Sequence, residues 1–204
     1  MSAITFPLPK GAILFTDENG VSYEFREALG EAHHGLNLFL ARRRVNGHPK
    51  GKVLLKAVGD PRGVGAEDGM RVVKARAKLE EQVRLASHLL HPGIVGVRGL
   101  HKAGPVWYVI TDHPAGQDLD DLMALATELD RWFSPEFTLY VGAAVADVLQ
   151  YAHAAKGEQG RSLGIVHRAI DLGHIFVDWD GRVQVSDFGL ALSTLPGRIV
   201  STVR

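Results

Sequence analysis

Three short stretches in the C-terminal third hold the side chains best suited to chemistry: Val166-His167-Arg168, Asp171 with His174, and Val185-Ser186-Asp187-Phe188-Gly189. Together they offer imidazole, guanidinium and carboxylate groups. A carboxylate oxygen suits a hard cation such as magnesium, whereas neutral imidazole suits zinc or manganese better. Far upstream, Lys56 ends the apolar run Val53-Leu54-Leu55. Each residue taken alone also has a plain reading, an exposed strand lysine or a turn aspartate. The chain has no cysteine, which excludes a disulfide scaffold, thiolate catalysis and a cysteine-containing zinc ribbon. Its ten histidines are scattered apart from His33-His34, and none forms a ligand pair on a helix.

The elements that must hold these groups fall into two halves. In the first, Gly11 to Phe15, a turn at Asp17-Glu18-Asn19-Gly20 and Val21 to Phe25 predict a hairpin. Leu36 to Arg43, Lys52 to Val58, Val95 to His101 and Val106 to Thr111 predict further strands, and Gly59 to Gly69 a loop. Val72, Leu79, Val83, Ala86 and Leu90 share one helical face, which His91-Pro92-Gly93 ends. In the second half a short helix is expected from about Asp118 to Leu129. A stronger one starts at Ser134-Pro135, with Ser as cap and Pro at the first helical position. Phe137, Val141, Ala144, Val145, Val148 and Ala152 give it a face to bury. Ile175 to Asp178 and Val183 to Ser186 are short β runs around Trp179-Asp180-Gly181.

The order and spacing of Val166-His167-Arg168, Ile175-Phe176-Val177 and Val185 to Gly189 resemble the catalytic loop and metal-binding turn of protein kinases, with bacterial serine/threonine kinases nearest in phrasing. Upstream pieces fall in the same register. Val53-Leu54-Leu55-Lys56 is similar to the strand with the phosphate-pairing lysine. His91-Pro92-Gly93-Ile94-Val95 is similar to the turn after the regulatory helix, and Leu29-Gly30 through Leu38 to Arg42 occupies the place of the glycine-rich strand-loop-strand. The resemblance covers about residues 21 to 204. It implies an α+β bilobal fold, an antiparallel β lobe with one regulatory helix followed by part of a mainly α lobe. It also implies ATP and magnesium as cofactors, with Lys56 on phosphates and Asp187 on the metal.

Other parts of the implied machinery are replaced. The aspartate that would accept the substrate proton is Ala169, which has no acceptor. Asp171, two positions on, is a weak substitute because side-chain direction changes over two loop residues. His174 stands where the second-metal asparagine is expected. It is read first as a structural or solvated histidine, with metal ligation as the alternative. The helix partner of Lys56 is Gln82, which can accept a hydrogen bond but cannot neutralise the lysine. Glu80 and Glu81 read as solvated charges that would need a helix shift to replace it. Glu81 lies about 100° around the helix from Gln82.

Gly30 and Gly35 remain in the glycine loop, but Glu31-Ala32-His33-His34 between them keeps amides away from phosphates. His33 and His34 read as surface turn histidines, with anion contact as the alternative. In the hinge, the alignment puts Thr111 at the gatekeeper, then Asp112, with Pro114 where an amide would donate to adenine; proline has none.

The expected layout is an N-terminal extension and start of the hairpin over 1–20, a β lobe over 21–112 and a partial helical lobe over 113–204. Ser193, Thr194, Ser201 and Thr202 resemble the start of an activation segment. The family's Ala-Pro-Glu anchor and later helices have no counterpart, so a piece of a longer chain is expected. The face from Phe137 to Ala152 would then lack part of its cover and invite a partner or aggregation, with a protein partner expected. Equal numbers of basic and acidic residues, 23 each, argue against wholesale nucleic-acid binding, and Arg42, Arg43, Arg44, Lys50 and Lys52 read as a solvated hairpin. With no spanning or signal segment read, a cytoplasmic chain is expected. The functional expectation is a pseudokinase acting as a regulatory or scaffolding module with possible nucleotide binding. An atypical active serine/threonine kinase and a nucleotide-switched binder are the alternatives.

Overall fold

The structure, a computed structural model, describes residues 9–32, 36–59, 66–188, 191 and 193–194. His33, His34, Gly35, Gly189, Ser201, Thr202 and positions 60–65 of the expected loop lie outside the described residues. The described chain divides into two compact units, one reaching Val83 and including Val97–His113, the other holding Arg84–Gly96 and the residues from Pro114 onward.

The first unit is a six-stranded antiparallel sheet. Its strands are β1 (Ile13–Thr16), β2 (Ser22–Ala32), β3 (Leu36–Val45), β4 (His48–Val58), β5 (Val97–Ala103) and β6 (Val106–Asp112). They lie in the order β1-β2-β3-β4-β6-β5. Asn-Gly pairs stand at two of its hairpin turns. At the first, Asp17 Oδ1 accepts from the amides of Asn19 (3.0 Å) and Val21 (2.9 Å). At the second, Asn46 and Gly47 both have positive φ (51° and 78°), the primed geometry whose twist matches paired strands. Behind this second turn, Arg44 and Arg26 clamp the buried carboxylate of Glu24. These cations hold that carboxyl below the ordinary carboxylate range.

Alternation along β4 sends Val53, Leu55 and Ala57 into one core with Phe15, Tyr23, Phe39, Tyr108 and Ile110. Burial of a side chain such as Val53 or Leu55 contributes roughly 1.5–3 kcal/mol. The opposite face, with Val58 and Val109, packs on Ala75 and Leu79 of helix α1 (Ala66–Ala86). Lys56 belongs to that second face by the same alternation. Trp107 on β6 lies under two cations, with the Arg76 guanidinium 4.2 Å and the Lys102 ammonium 5.6 Å from its ring centre.

Helix α1 corrects the expected loop. It begins at Ala66 and takes in Gly69, because the packing of Ala75 and Leu79 outweighs one glycine's weak helix propensity of about 1 kcal/mol. Leu90, expected on the buried face, is 81% exposed: the helix has ended at Ala86 and its period no longer applies.

In the second unit, α2 (Leu119–Glu128) is capped by Asp118, whose Oδ1 accepts from Asp121 N at 2.9 Å. Helix α3 (Pro135–Ala154) is capped by Ser134, whose Oγ accepts from Phe137 N at 3.2 Å. A small sheet joins β7 (Gln117–Asp118), β8 (Ile175–Val177) and β9 (Val183–Val185). The α3 face expected to lack cover is covered. Val141 packs with Ile175 and Val183, and Val148 and Ala152 pack with Ile165, Val185 and Phe188. The exposed large apolar groups of α3 are Leu139 and Tyr140, off that stripe. Trp132 and Trp179 are also exposed, at 80% and 90%. Arg84–Gly96 is knitted into this unit by Val95 N donating to Val185 O (2.9 Å) and Val185 N to Gly93 O (2.8 Å). Among the described residues no helix is long and apolar enough to cross a membrane.

Candidate functional site

His167, on the loop before β8, is buried with both ring nitrogens used. Nδ1 accepts from Ala169 N at 3.3 Å, so the proton sits on Nε2, which donates to Ser186 O at 2.8 Å. Phe188 meets the ring edge to face, with centroids 4.4 Å apart. Burial pushes the His167 pKa below its ordinary value, against the opposing pull of the Ser186 bond. The ring is therefore a neutral brace between the Ala169 loop and the loop of Asp187.

Ala169 ends in a methyl group and can neither accept nor hold a proton. Asp171 begins a short 3-10 turn over Leu172–His174. Its Oδ1 accepts from His174 N at 3.1 Å and lies 2.6 Å from His174 Nδ1. The other ring nitrogen, Nε2, lies 3.9 Å from Asp187 Oδ2. Asp187 (φ 60°) and Arg168 (φ 68°) are both left-handed. Non-glycine residues in such conformations cost about 1–3 kcal/mol each and cluster at functional sites. Asp171, His174 and Asp187 are thus brought together. Asp171 serves as cap and ring partner at once, and its spacing of three from His174 was the signal available for that role.

In the first unit, Lys56 is half-buried and pairs in register with Leu38 and Val109. Gln82 is buried on α1, as the helical period predicts. Glu81 corrects the reading as a solvated charge: it is only 6% exposed, and its Oε2 lies 3.6 Å from the equally enclosed Lys78. The buried stripe is wider than one period suggests, taking in Ala75, Lys78, Leu79, Glu81, Gln82 and Leu85. Glu80 stays at the surface, paired with Arg76 at 3.0 Å.

Gly30, with φ +99°, sits at an irregularity in the β2–β3 ladder, a conformation that a side chain would strain. Thr111, expected at the gatekeeper position, is buried and donates through Oγ1 to Leu54 O at 3.3 Å. Asp112 holds Arg98 with its carboxylate. Pro114 has no amide hydrogen to offer.

These residues fit the expected cofactors unevenly. Lys56 suits phosphate and Asp187 suits a hard cation, but an imidazole nitrogen at His174, oriented by a carboxylate, does not suit a second magnesium.

Residues 24–197 match the model of the family described as protein tyrosine and serine/threonine kinase. The chain is 32% identical over 122 residues to the tyrosine-protein kinase MasK of Myxococcus xanthus, covering 60% of this chain and 19% of that protein. It is 28% identical over 169 residues to Aurora kinase A-A of Xenopus laevis, covering 82% and 35% respectively. A third relative, the serine/threonine-protein kinase PrkC of Bacillus subtilis, is 25% identical over 125 residues, covering 61% and 17%. The chain therefore spans between about a sixth and a third of these relatives' lengths. With a matching sheet and helix order and a family match over most of its length, the chain belongs to the protein tyrosine and serine/threonine kinase family.

Proposed function

We propose that this domain is a catalytically impaired kinase that acts as a regulatory or scaffolding module on a protein partner, with residual nucleotide binding through Lys56 and Asp187. The observation that carries this reading is Ala169. It occupies the base position, its backbone N–H is bonded to His167 Nδ1, and its side chain has no proton acceptor. Loss of a positioned general base typically lowers a rate by about 10²–10⁴-fold. Gln82 in place of an acid, Pro114 in the hinge and the side chains between Gly30 and Gly35 weaken the same machinery. The layout assigned to it is an N-terminal extension and start of the hairpin over 1–20, a β lobe over 21–112 and a partial helical lobe over 113–204, working in the cytoplasm.

Calorimetric titration of the full protein with ATP, with and without magnesium, tests nucleotide binding, with Lys56→Ala as control. Saturable heat that the variant abolishes is the expected result. Phosphotransfer assays on the same protein test the impairment. Reproducible transfer that disappears in both Lys56→Ala and Asp187→Ala overturns it.

A second reading, an atypical kinase transferring the γ-phosphate to a protein hydroxyl, is favoured by Asp171. Its side chain is 63% exposed and hydrogen-bonded to His174, within the loop that carries Ala169. Ala169→Asp separates the two readings. Under impairment it raises a negligible rate or leaves none, whereas under the second reading Asp171→Asn abolishes a rate already present.

A further inference from the structure

We infer that Trp132, Tyr140 and Trp179, with the carboxylates of Asp130, Glu136 and Asp180 around them, form a docking surface for an arginine-bearing peptide segment of a protein partner. This surface uses none of the residues of the candidate site, so it stands whether or not nucleotide binds or phosphate is transferred.

All three rings belong to the second unit, and its packing ties them together. Tyr140 Oη donates to Gly181 O at 2.7 Å, which lays α3 against the turn between β8 and β9. Asp178 closes that turn, its Oδ1 accepting from the amides of Asp180 (3.0 Å) and Arg182 (2.8 Å), and Trp179 stands out from it. On α3, Phe137 packs against the cluster that holds Val183 of β9, and Phe133 stacks on Phe137 with ring centroids 4.8 Å apart. Trp132 therefore leaves the chain beside a ring anchored on the strand that follows Trp179. The exposures are 80% for Trp132, 52% for Tyr140 and 90% for Trp179. Rings of this size give most when buried, and several exposed in one region mark a surface that a partner covers.

Charge decides which partner. From Pro114 to His153, Arg131 stands as the lone lysine or arginine against seven acidic residues. Asp130, Glu136 and Asp180 are exposed, and Glu136 is one helical turn from Tyr140 on the same side of α3. Asp178 and Asp180 flank Trp179 in the chain, and the nearby Arg182 offsets one of them. An uncharged apolar partner strips water from these carboxylates and returns no counter-charge, and an acidic partner is repelled. Arginine meets both demands, because its planar guanidinium stacks on an indole face while it pairs bidentately with a carboxylate.

The test is selection from a random dodecapeptide library on the immobilised full protein. The most enriched tryptophan-free peptide is then synthesised with a fluorescein label and titrated by anisotropy. The expected result is enrichment of arginine beside apolar residues, with saturable binding that Trp179→Ala and Asp180→Lys each weaken about tenfold. Raising the salt from about 0.05 M to about 0.5 M should weaken it as well. Trp179 is too exposed to contribute much to packing, and circular dichroism of each variant checks folding. In the unmodified protein the unlabelled peptide should shield part of the tryptophan emission from acrylamide, a readout that needs no variant. No enrichment over a bare surface, selected peptides without arginine, emission that the peptide leaves unshielded, or undiminished binding to the folded double variant Trp132→Ala with Trp179→Ala overturns the proposal. So does self-association of the full protein in sedimentation that the double variant abolishes, which assigns the surface to a second copy of the chain.

Discussion

His167 Nε2 donates to the carbonyl oxygen of Ser186 at 2.8 Å, one residue before Asp187, while its Nδ1 receives the amide of Ala169. One buried ring therefore joins the loop of Ala169 to the loop of Asp187. The brace fixes where Asp187 stands, because Ser186 immediately precedes it.

This brace makes stability depend on pH in one direction. Burial, reinforced by nearby His174, lowers the folded-state pKa of His167 from 6.5, so the unfolded chain takes up a proton first as pH falls. Stability from this residue is complete above the unfolded pKa and declines as pH drops below 6.5 toward the folded-state value. Urea unfolding midpoints compared at about pH 7.5 and about pH 5.5 should fall. His167→Phe, which keeps the contact with Phe188 but cannot titrate, should flatten that slope. An equal slope in the variant would assign the effect to other groups.

Gly93 is required by a close approach. A Cβ there would lie 2.5 Å from Val148 Cγ2, in the core of the second unit. Gly93→Ala should destabilise by about 1–3 kcal/mol through overpacking. The double variant with Val148→Ala should cost less than the sum of the two single losses, measured as a double-mutant cycle by chemical denaturation.

The two acidic neighbours on α1 should behave differently. Lys78 and Glu81 are enclosed, with side chains 9% and 7% exposed, so Lys78→Ala removes a cation from an enclosed pair and should cost about 3 kcal/mol. Glu80→Ala, at the surface pair with Arg76, should change stability by less than about 1 kcal/mol. Thermal or urea melts of the two variants check the contrast.

What the sequence made legible was whatever local pattern alone decides. Alternation along Val53 to Val58 placed Lys56 on a strand opposite its apolar neighbours, and Ser134-Pro135 marked the start of α3. Patterns that depend on a partner were not legible. β2 runs on to Ala32 through polar residues because β3 pairs with it that far, across two irregularities. The two-residue strand Gln117–Asp118 exists only against β8. Glu81 was misplaced because a helix packed on a broad face buries more than one stripe. At the site, residue types were readable, whereas the turn that swings Asp171 back onto His174 depends on backbone geometry that no periodicity encodes.

The three tryptophans occupy electrostatically distinct surroundings, and this gives the protein a built-in optical label. Trp179 projects into solvent between Asp178 and Asp180, whereas Trp107 is flanked by the charges of Arg76 and Lys102. Caesium ions, drawn to the first and repelled from the second, should extinguish the emission of Trp179 and the exposed Trp132 before that of Trp107. The fluorescence that survives the quencher then reports on the seam between β6 and α1, so the opening of that seam can be followed separately without introducing a dye.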